Sequence, residues 1–181
     1  MEIALEHGVT IRPSVQDDID YVEDNFRVGD RMEHESLGGG RTKLDAFEQC
    51  WTISIRGRIV GYCGIMLFPG EPVLSARRVL CFMSCENANA AKVTFVRMSR
   101  AVMREIAGRT PSWVTEFHSA PDSEYRGSLI WHERVLNMHR VGSIIFRGRE
   151  LIHYISSRKE IIYHDGIGNR RTRCDRNRSR H

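Results

Sequence analysis

The clearest alternation of apolar and polar positions lies between Arg77 and Gly108. Arg78-Val79-Leu80-Cys81-Phe82-Met83-Ser84 is an apolar run of strand length, and Asn87-Ala88-Asn89-Ala90 is a small polar turn. From Lys92 to Ala107, Phe95, Met98, Val102 and Ile106 recur at helical spacing, with Val96 and Met103 widening the stripe. A strand that feeds a helix through a short turn is a usual ligand position in an open α/β sheet. The helix start offers unpaired N–H groups and a positive dipole end to an anion.

The flanking pattern supplies the other elements. Val9–Arg12 reads as a strand closed by Pro13, and Ser14-x-x-Asp17 as a capping box. The helix behind that box turns Ile19, Val22 and Phe26 inward. Arg31 to Gly40 ends in a glycine break, and Leu44–Gln49 predicts a short helix at most. Trp51–Ile55 and Ile59–Phe68 form a hairpin around Arg56-Gly57-Arg58, and Pro69-Gly70-Glu71-Pro72 is a loop. Gly61 and Gly64 inside the second strand predict a bulge or a close approach of other backbone. Ser112–His118 is a strand, and a helix runs from Pro121-Asp122 to about Met138. A second hairpin joins Ser143–Phe146 to Leu151–Ile155, and Ile161-Ile162-Tyr163 extends a strand. This order predicts an α/β protein of the mixed-sheet (α+β) kind, with helices on both faces of a central sheet.

Length and charge refine that picture. The 181 residues, 41% of them hydrophobic, suffice for one domain with a full core. The expected division is a domain at 1–165 and an arginine-rich tail at 166–181. The net charge is +4, but the tail alone holds +5 through Arg170, Arg171, Arg173, Arg176, Arg178 and Arg180 against Asp175. The body is therefore near neutral. That tail reads three ways: a phosphate-binding arm, an arm docking on an acidic protein surface, or a solubilising terminus. No apolar run long enough for a membrane span and no secretory leader pattern is present, so neither is expected. The odd set Cys50, Cys63, Cys81, Cys85 and Cys174 reads as reduced thiols, and no metal site is expected.

The element order and the opening Thr10-Ile11-Arg12-Pro13 resemble the GNAT (Gcn5-related) N-acetyltransferase fold over residues 9–158. Active members of that fold carry Arg/Gln-x-x-Gly-x-Gly/Ala after the fourth strand, which closes backbone N–H groups on the pyrophosphate of acetyl-CoA. Here the same stretch is Ser84-Cys85-Glu86-Asn87-Ala88-Asn89-Ala90-Ala91, without glycine and with an added carboxylate. No cofactor and no catalytic residue is therefore expected. If acetyl-CoA does bind, the expected contacts are Met83, Asn87, Asn89, Ala90 and Ala91.

A further resemblance is to the internal virion protein A family of short-tailed phages. It rests on Cys50–Ile55 with Gly57, Ile59-Val60-Gly61 and Gly64, on Trp113-Val114, and on Ser128-Leu129-x-Trp131-x-x-x-Val135-Leu136 before Val141-Gly142. It implies a non-enzymatic virion structural or assembly protein, associated with the internal core or ejection apparatus. It would act in the virion and in the host cytoplasm during assembly. Other virion proteins would be its partners, and the arm would reach them or DNA. The alternative is a divergent acetyl-CoA-dependent N-acetyltransferase.

Isolated side chains add candidates with two readings each. Arg97, Arg100 and Arg104 form a helix stripe that either binds phosphate or faces water. Glu116 and His118 share a strand face, where a carboxylate could serve as base toward an amine, with Tyr125 or Tyr154 as acid; otherwise Glu116 pairs with an arginine. His132 and His139 lie on one helix face as half-exposed residues. Trp51, Trp113 and Trp131 are core and near-core anchors, base stacking being the other reading.

Overall fold

Period-two alternation organises the middle of the chain. In the computed structural model, which describes residues 2–36, 38–67 and 78–163, β3 (Phe47–Ile55) and β4 (Arg58–Leu67) form the expected hairpin. β5 (Arg78–Ser84) pairs antiparallel with β4. Outside them lie β2 (Val9–Pro13) and the two-residue β1 (Ile3–Ala4). On the other flank β6 (Glu116–Ser119) runs parallel to β5, and β8 (Arg149–Ser157) and β7 (His139–Phe146) close the sheet as a hairpin. Among the described residues the order is β1-β2-β3-β4-β5-β6-β8-β7, a mixed sheet of the expected class.

Helices cover both faces. On one, α1 (Gln16–Asp24) sets Ile19 and Val22 against Phe47, Tyr62 and Met83. On the other, the long α4 (Lys92–Arg109) sets Phe95, Met98, Val102 and Ile106 over Ile53, Cys63, Ile65 and Leu80. A bulge at Val60 switches the parity of β4, so that Val60 faces α4 while Tyr62 faces α1. Gly61 sits where other backbone comes close: a Cβ there would lie 2.3 Å from the Met83 carbonyl oxygen. Gly64 instead meets the ring of Phe47.

Several boundaries move for physical reasons. Leu44–Ala46 is a single 3-10 turn, and the strand takes over at Phe47. The helix cap falls on Val15, whose N–H donates to Asp18 Oδ2 at 3.0 Å, one position past the expected Asp17. Ser112–Val114 stays outside β6. The helix expected from Pro121 is α5 (Arg126–Ile130), continued by one π turn at Trp131–Val135. Ile161-Ile162 lies in α6 (Arg158–Tyr163), packed against the main core. Helices α2 (Val28–Ser36) and α3 (Asn87–Ala90) are additions. The loop Pro69–Pro72 and the arginine tail lie outside the described residues.

Asp18 ties β2, α1 and β3 together. It receives the Arg12 fork at 2.7 and 2.6 Å and the Thr52 hydroxyl at 2.8 Å. Burial opposes its ionisation, but these donors outweigh burial and hold its carboxyl below the ordinary value of 3.8. Its stabilising contribution is thus present above pH ~4 and lost as pH falls through its lowered value. Asp18→Asn is expected to cost about 2 kcal/mol at pH 7, with the gap to wild type narrowing below pH ~4 in urea melts. An equal gap at pH 3 and pH 7 would rule this out.

Candidate active site

The two parallel strands part almost as soon as they meet. β5 and β6 share the single register pair Val79↔His118, after which β5 continues to Ser84 while the backbone after β6 leaves through Ala120-Pro121-Asp122. The gap opens into a cavity of about 500 Å³. One wall is Val79 to Met83 and the opposite wall Ser119 to Asp122.

Its two ends differ in chemistry. Toward α4 the lining is aromatic and aliphatic: Phe82, Phe95, Val96, Ile130 and Trp131, with Lys92 on the first turn of the helix. The Phe82 ring packs 4.9 Å from Trp131 and 5.4 Å from Phe95, centroid to centroid. Toward α2 the lining is polar: Arg27, Asp30, Glu33, Asp122 and Tyr125.

The polar end is a connected set. Asp30 accepts from the Ser84 N–H at 2.9 Å and the Ser84 hydroxyl at 3.1 Å, and from Arg27 Nε at 2.9 Å. Arg27 Nη2 donates to the Tyr125 hydroxyl oxygen at 3.0 Å. Asp122 takes Arg149 Nε at 2.6 Å, and the Asp122 N–H donates to Glu33 at 3.1 Å. Burial, reinforced by the charge of Asp30, pushes the Glu33 carboxyl up to about 8. Burial, then Asp30, raises the Tyr125 phenol as well. A carboxyl titrating near neutral pH inside a cavity is suited to taking a proton from an incoming group.

His132, also lining the cavity, is fixed in place by two contacts: Nε2 to Ser119 Oγ at 2.7 Å and Nδ1 to the Ser128 carbonyl at 2.8 Å. Burial lowers its pKa to about 4, so it is neutral at pH 7.

Of the contacts expected for acetyl-CoA, Met83 lines the cavity. Asn87 turns away to donate to the Tyr21 hydroxyl and the Ile59 carbonyl, both at 2.9 Å, and Asn89 donates to Glu86 at 2.7 Å. Ala90 ends α3, and Ala91 caps α4. The loop amides point inward: those of Cys85, Glu86, Ala88, Asn89 and Ala91 donate to Val60, Asn25, Cys85, Glu86 and Ala88 carbonyls. A pyrophosphate cradle made of loop amides therefore does not fit residues 85–91. The cation next to this loop that does line the cavity is Lys92, on the first turn of α4.

The other candidates separate from this site. Glu116 and His118 lie 3.8 Å apart, outside the lining, and the buried His118 meets His153 at 3.0 Å. Tyr154 donates to Glu133 at 2.7 Å, whereas Tyr125 faces the cavity. His132 and His139 do not share a helix, because the chain enters β7 at His139, which meets Glu160 at 3.1 Å. Trp113 is exposed, with the Arg78 guanidinium 4.3 Å over its ring. Arg100 leaves the solvent stripe to bind the Arg134 carbonyl at 2.9 Å and the Val135 carbonyl.

No protein-family model and no curated protein sequence matches the chain. Solved structures do. The aminoglycoside acetyltransferase AAC(6')-Ib, in complex with ribostamycin and coenzyme A, superposes with a TM-score of 0.64 at 14% identity, over 93% of this chain and 99% of that one. Spermidine N-acetyltransferase from Vibrio cholerae, with coenzyme A and spermine, gives 0.60 at 8% identity, over 86% and 98%. Ribosomal-protein-alanine N-acetyltransferase from Brucella melitensis gives 0.54 at 13% identity, over 81% and 98%. The fold is that of the GNAT acetyltransferases. The expected non-enzymatic virion role is corrected here. The short matches behind it find no counterpart, and these neighbours are acetyltransferases, two of them solved with coenzyme A.

Proposed function

We propose that the chain is a divergent acetyl-CoA-dependent N-acetyltransferase. The observation that carries this reading is the cavity between β5 and β6, with Glu33 and Tyr125 on its polar wall and an apolar channel toward Lys92. The cofactor would supply a thioester-activated acetyl group. Lys92 and the first-turn amides of α4 would hold its phosphates, in place of a glycine-rich loop. At the polar end, Glu33 would take the proton that an amine loses, and the Tyr125 hydroxyl would return one to the departing sulfur. His132 stays neutral and keeps Ser119 on the wall.

Calorimetric titration with acetyl-CoA at roughly 100 µM protein is the direct test, with an expected 1:1 stoichiometry and a Kd on the order of micromolar. Lys92→Glu is expected to weaken that binding about tenfold or more, through a reversed charge at the helix start. Acetyl transfer to a panel of amines should follow. Absence of binding by the wild-type protein would end this reading, and an unchanged Kd in the Lys92 variant would move the phosphates elsewhere.

A further inference from the structure

The Tyr125 ring rests against α2 at a point where that helix has no side chain. A Cβ built on Gly29 would stand 2.0 Å from Tyr125 Cζ, 2.3 Å from Cε2 and 2.5 Å from the hydroxyl oxygen. A Cβ on Gly127 would stand 3.2 Å from Cε2 of the same ring. Two glycines thus leave room for the phenol.

Gly29 is the second residue of α2, a first-turn position that any residue can occupy. Its glycine serves no positive backbone angle, because Gly29 is not among the residues with φ above zero. What it makes room for is the ring. Two residues earlier in the chain, Arg27 fixes the hydroxyl: Nη2 donates to the phenol oxygen at 3.0 Å, while Nε is held by Asp30 at 2.9 Å. A guanidinium has donors and no acceptor, so the phenol's own proton is directed away from Arg27.

We infer that Gly29 is a positioning residue: by leaving α2 bare it seats the Tyr125 ring on Arg27, so that the phenol proton faces the cavity. This rests on the acetyl-transfer reading for its purpose. The proton balance of the reaction then closes within the site. An amine proton passes to Glu33, the C–N bond replaces the C–S bond, and the Tyr125 proton ends on the thiolate sulfur. Transfer of the Glu33 proton to the phenolate resets both groups.

Gly29→Ala tests the seat without breaking the fold. The atoms in the way are the far end of one side chain, so the ring can swing out while the helix keeps its place. The first readout needs no activity. Ultraviolet titration of the phenols, with Tyr125→Phe subtracted, isolates Tyr125. Its ionisation is raised by burial in the wild type, and it should move down toward that of an exposed phenol in Gly29→Ala as the ring gains water. The melting temperature should change little.

The second readout is kinetic. Gly29→Ala should lower kcat about 10- to 100-fold, within the range for proton transfer by a positioned group. KM for acetyl-CoA should stay within about twofold, and the same substitution in the Tyr125→Phe background should leave kcat nearly unchanged. An unmoved Tyr125 ionisation overturns the seat. A moved ionisation with unchanged kcat, or an equal loss in the Tyr125→Phe background, overturns its role. A wild-type protein that binds acetyl-CoA and acetylates no amine, with Tyr125 still shifted in the variant, overturns the acetyl-transfer reading and leaves the seat as packing alone.

Discussion

Glu33→Gln is expected to lower kcat by about 10²- to 10³-fold, because it removes the cavity's proton acceptor while keeping its shape. Gln retains an oxygen for the Asp122 N–H that Glu33 accepts at 3.1 Å. Burial and the charge of Asp30 push the wild-type carboxyl to about 8, so the ionised base is scarce at pH 6. The wild-type rate should therefore climb as pH rises through about 8 and then level, and the variant should lose that limb. Stability should move the opposite way. A carboxyl whose folded value lies above its unfolded one favours folding fully below pH ~4.5, and that contribution is lost as pH rises through about 8. Wild-type Tm is thus expected to fall between pH 5 and 9, while the variant stays flatter and exceeds it above neutral by roughly 5 °C. A variant that keeps turnover within threefold of wild type would remove Glu33 from the chemistry.

The same carboxyl shows why the sequence pattern missed the site. α1 and α4 are legible because they bury apolar stripes, Ile19 and Val22 in one and Phe95, Met98, Val102 and Ile106 in the other. α2 buries Asp30 and Glu33 instead, while its apolar residues Val28 and Met32 are exposed. A hydrophobic periodicity cannot register a helix whose inner face is acidic. The one available signal was Asp30 and Glu33 three apart, on one helical face. Tyr125 was legible as a residue type and ambiguous as a position, since the chain offers Tyr154 as well; only the parting of β5 from β6 separates the two. The absence of glycine from residues 85–91 is legible in the sequence, but the cleft between the parting strands depends on β5 and β6 and not on the loop beyond them. Ile161-Ile162, a β-branched pair by propensity, entered α6 because packing on the main core overrides local preference.

Gly61→Ala is expected to be the most damaging single methyl in the described chain, and to harm the site through the fold. The added carbon would lie 2.3 Å from the Met83 carbonyl oxygen and 3.1 Å from Ser84 Cα, both backbone atoms of a central strand. Neither can rotate aside, so β4 and β5 must separate at Gly61↔Ser84 and Tyr62↔Met83. Ser84 is also the anchor of Asp30, through its N–H and its hydroxyl, and Asp30 holds Arg27 under Tyr125. A shift of β5 therefore reaches the polar end of the cavity within three contacts. Overpacking of this kind costs about 1–3 kcal/mol where side chains can yield, and here the upper end or beyond is expected, with a Tm drop of roughly 10 °C. Gly64→Ala supplies the control. Its methyl would meet the Phe47 ring, a buried side chain at the start of β3 and not strand backbone, so its loss should be the smaller of the two. Equal losses in the two variants, measured by urea unfolding at one pH, would mean that β5 yields as readily as a phenyl ring. The close approach of the two strands would then not be what holds Ser84 against Asp30.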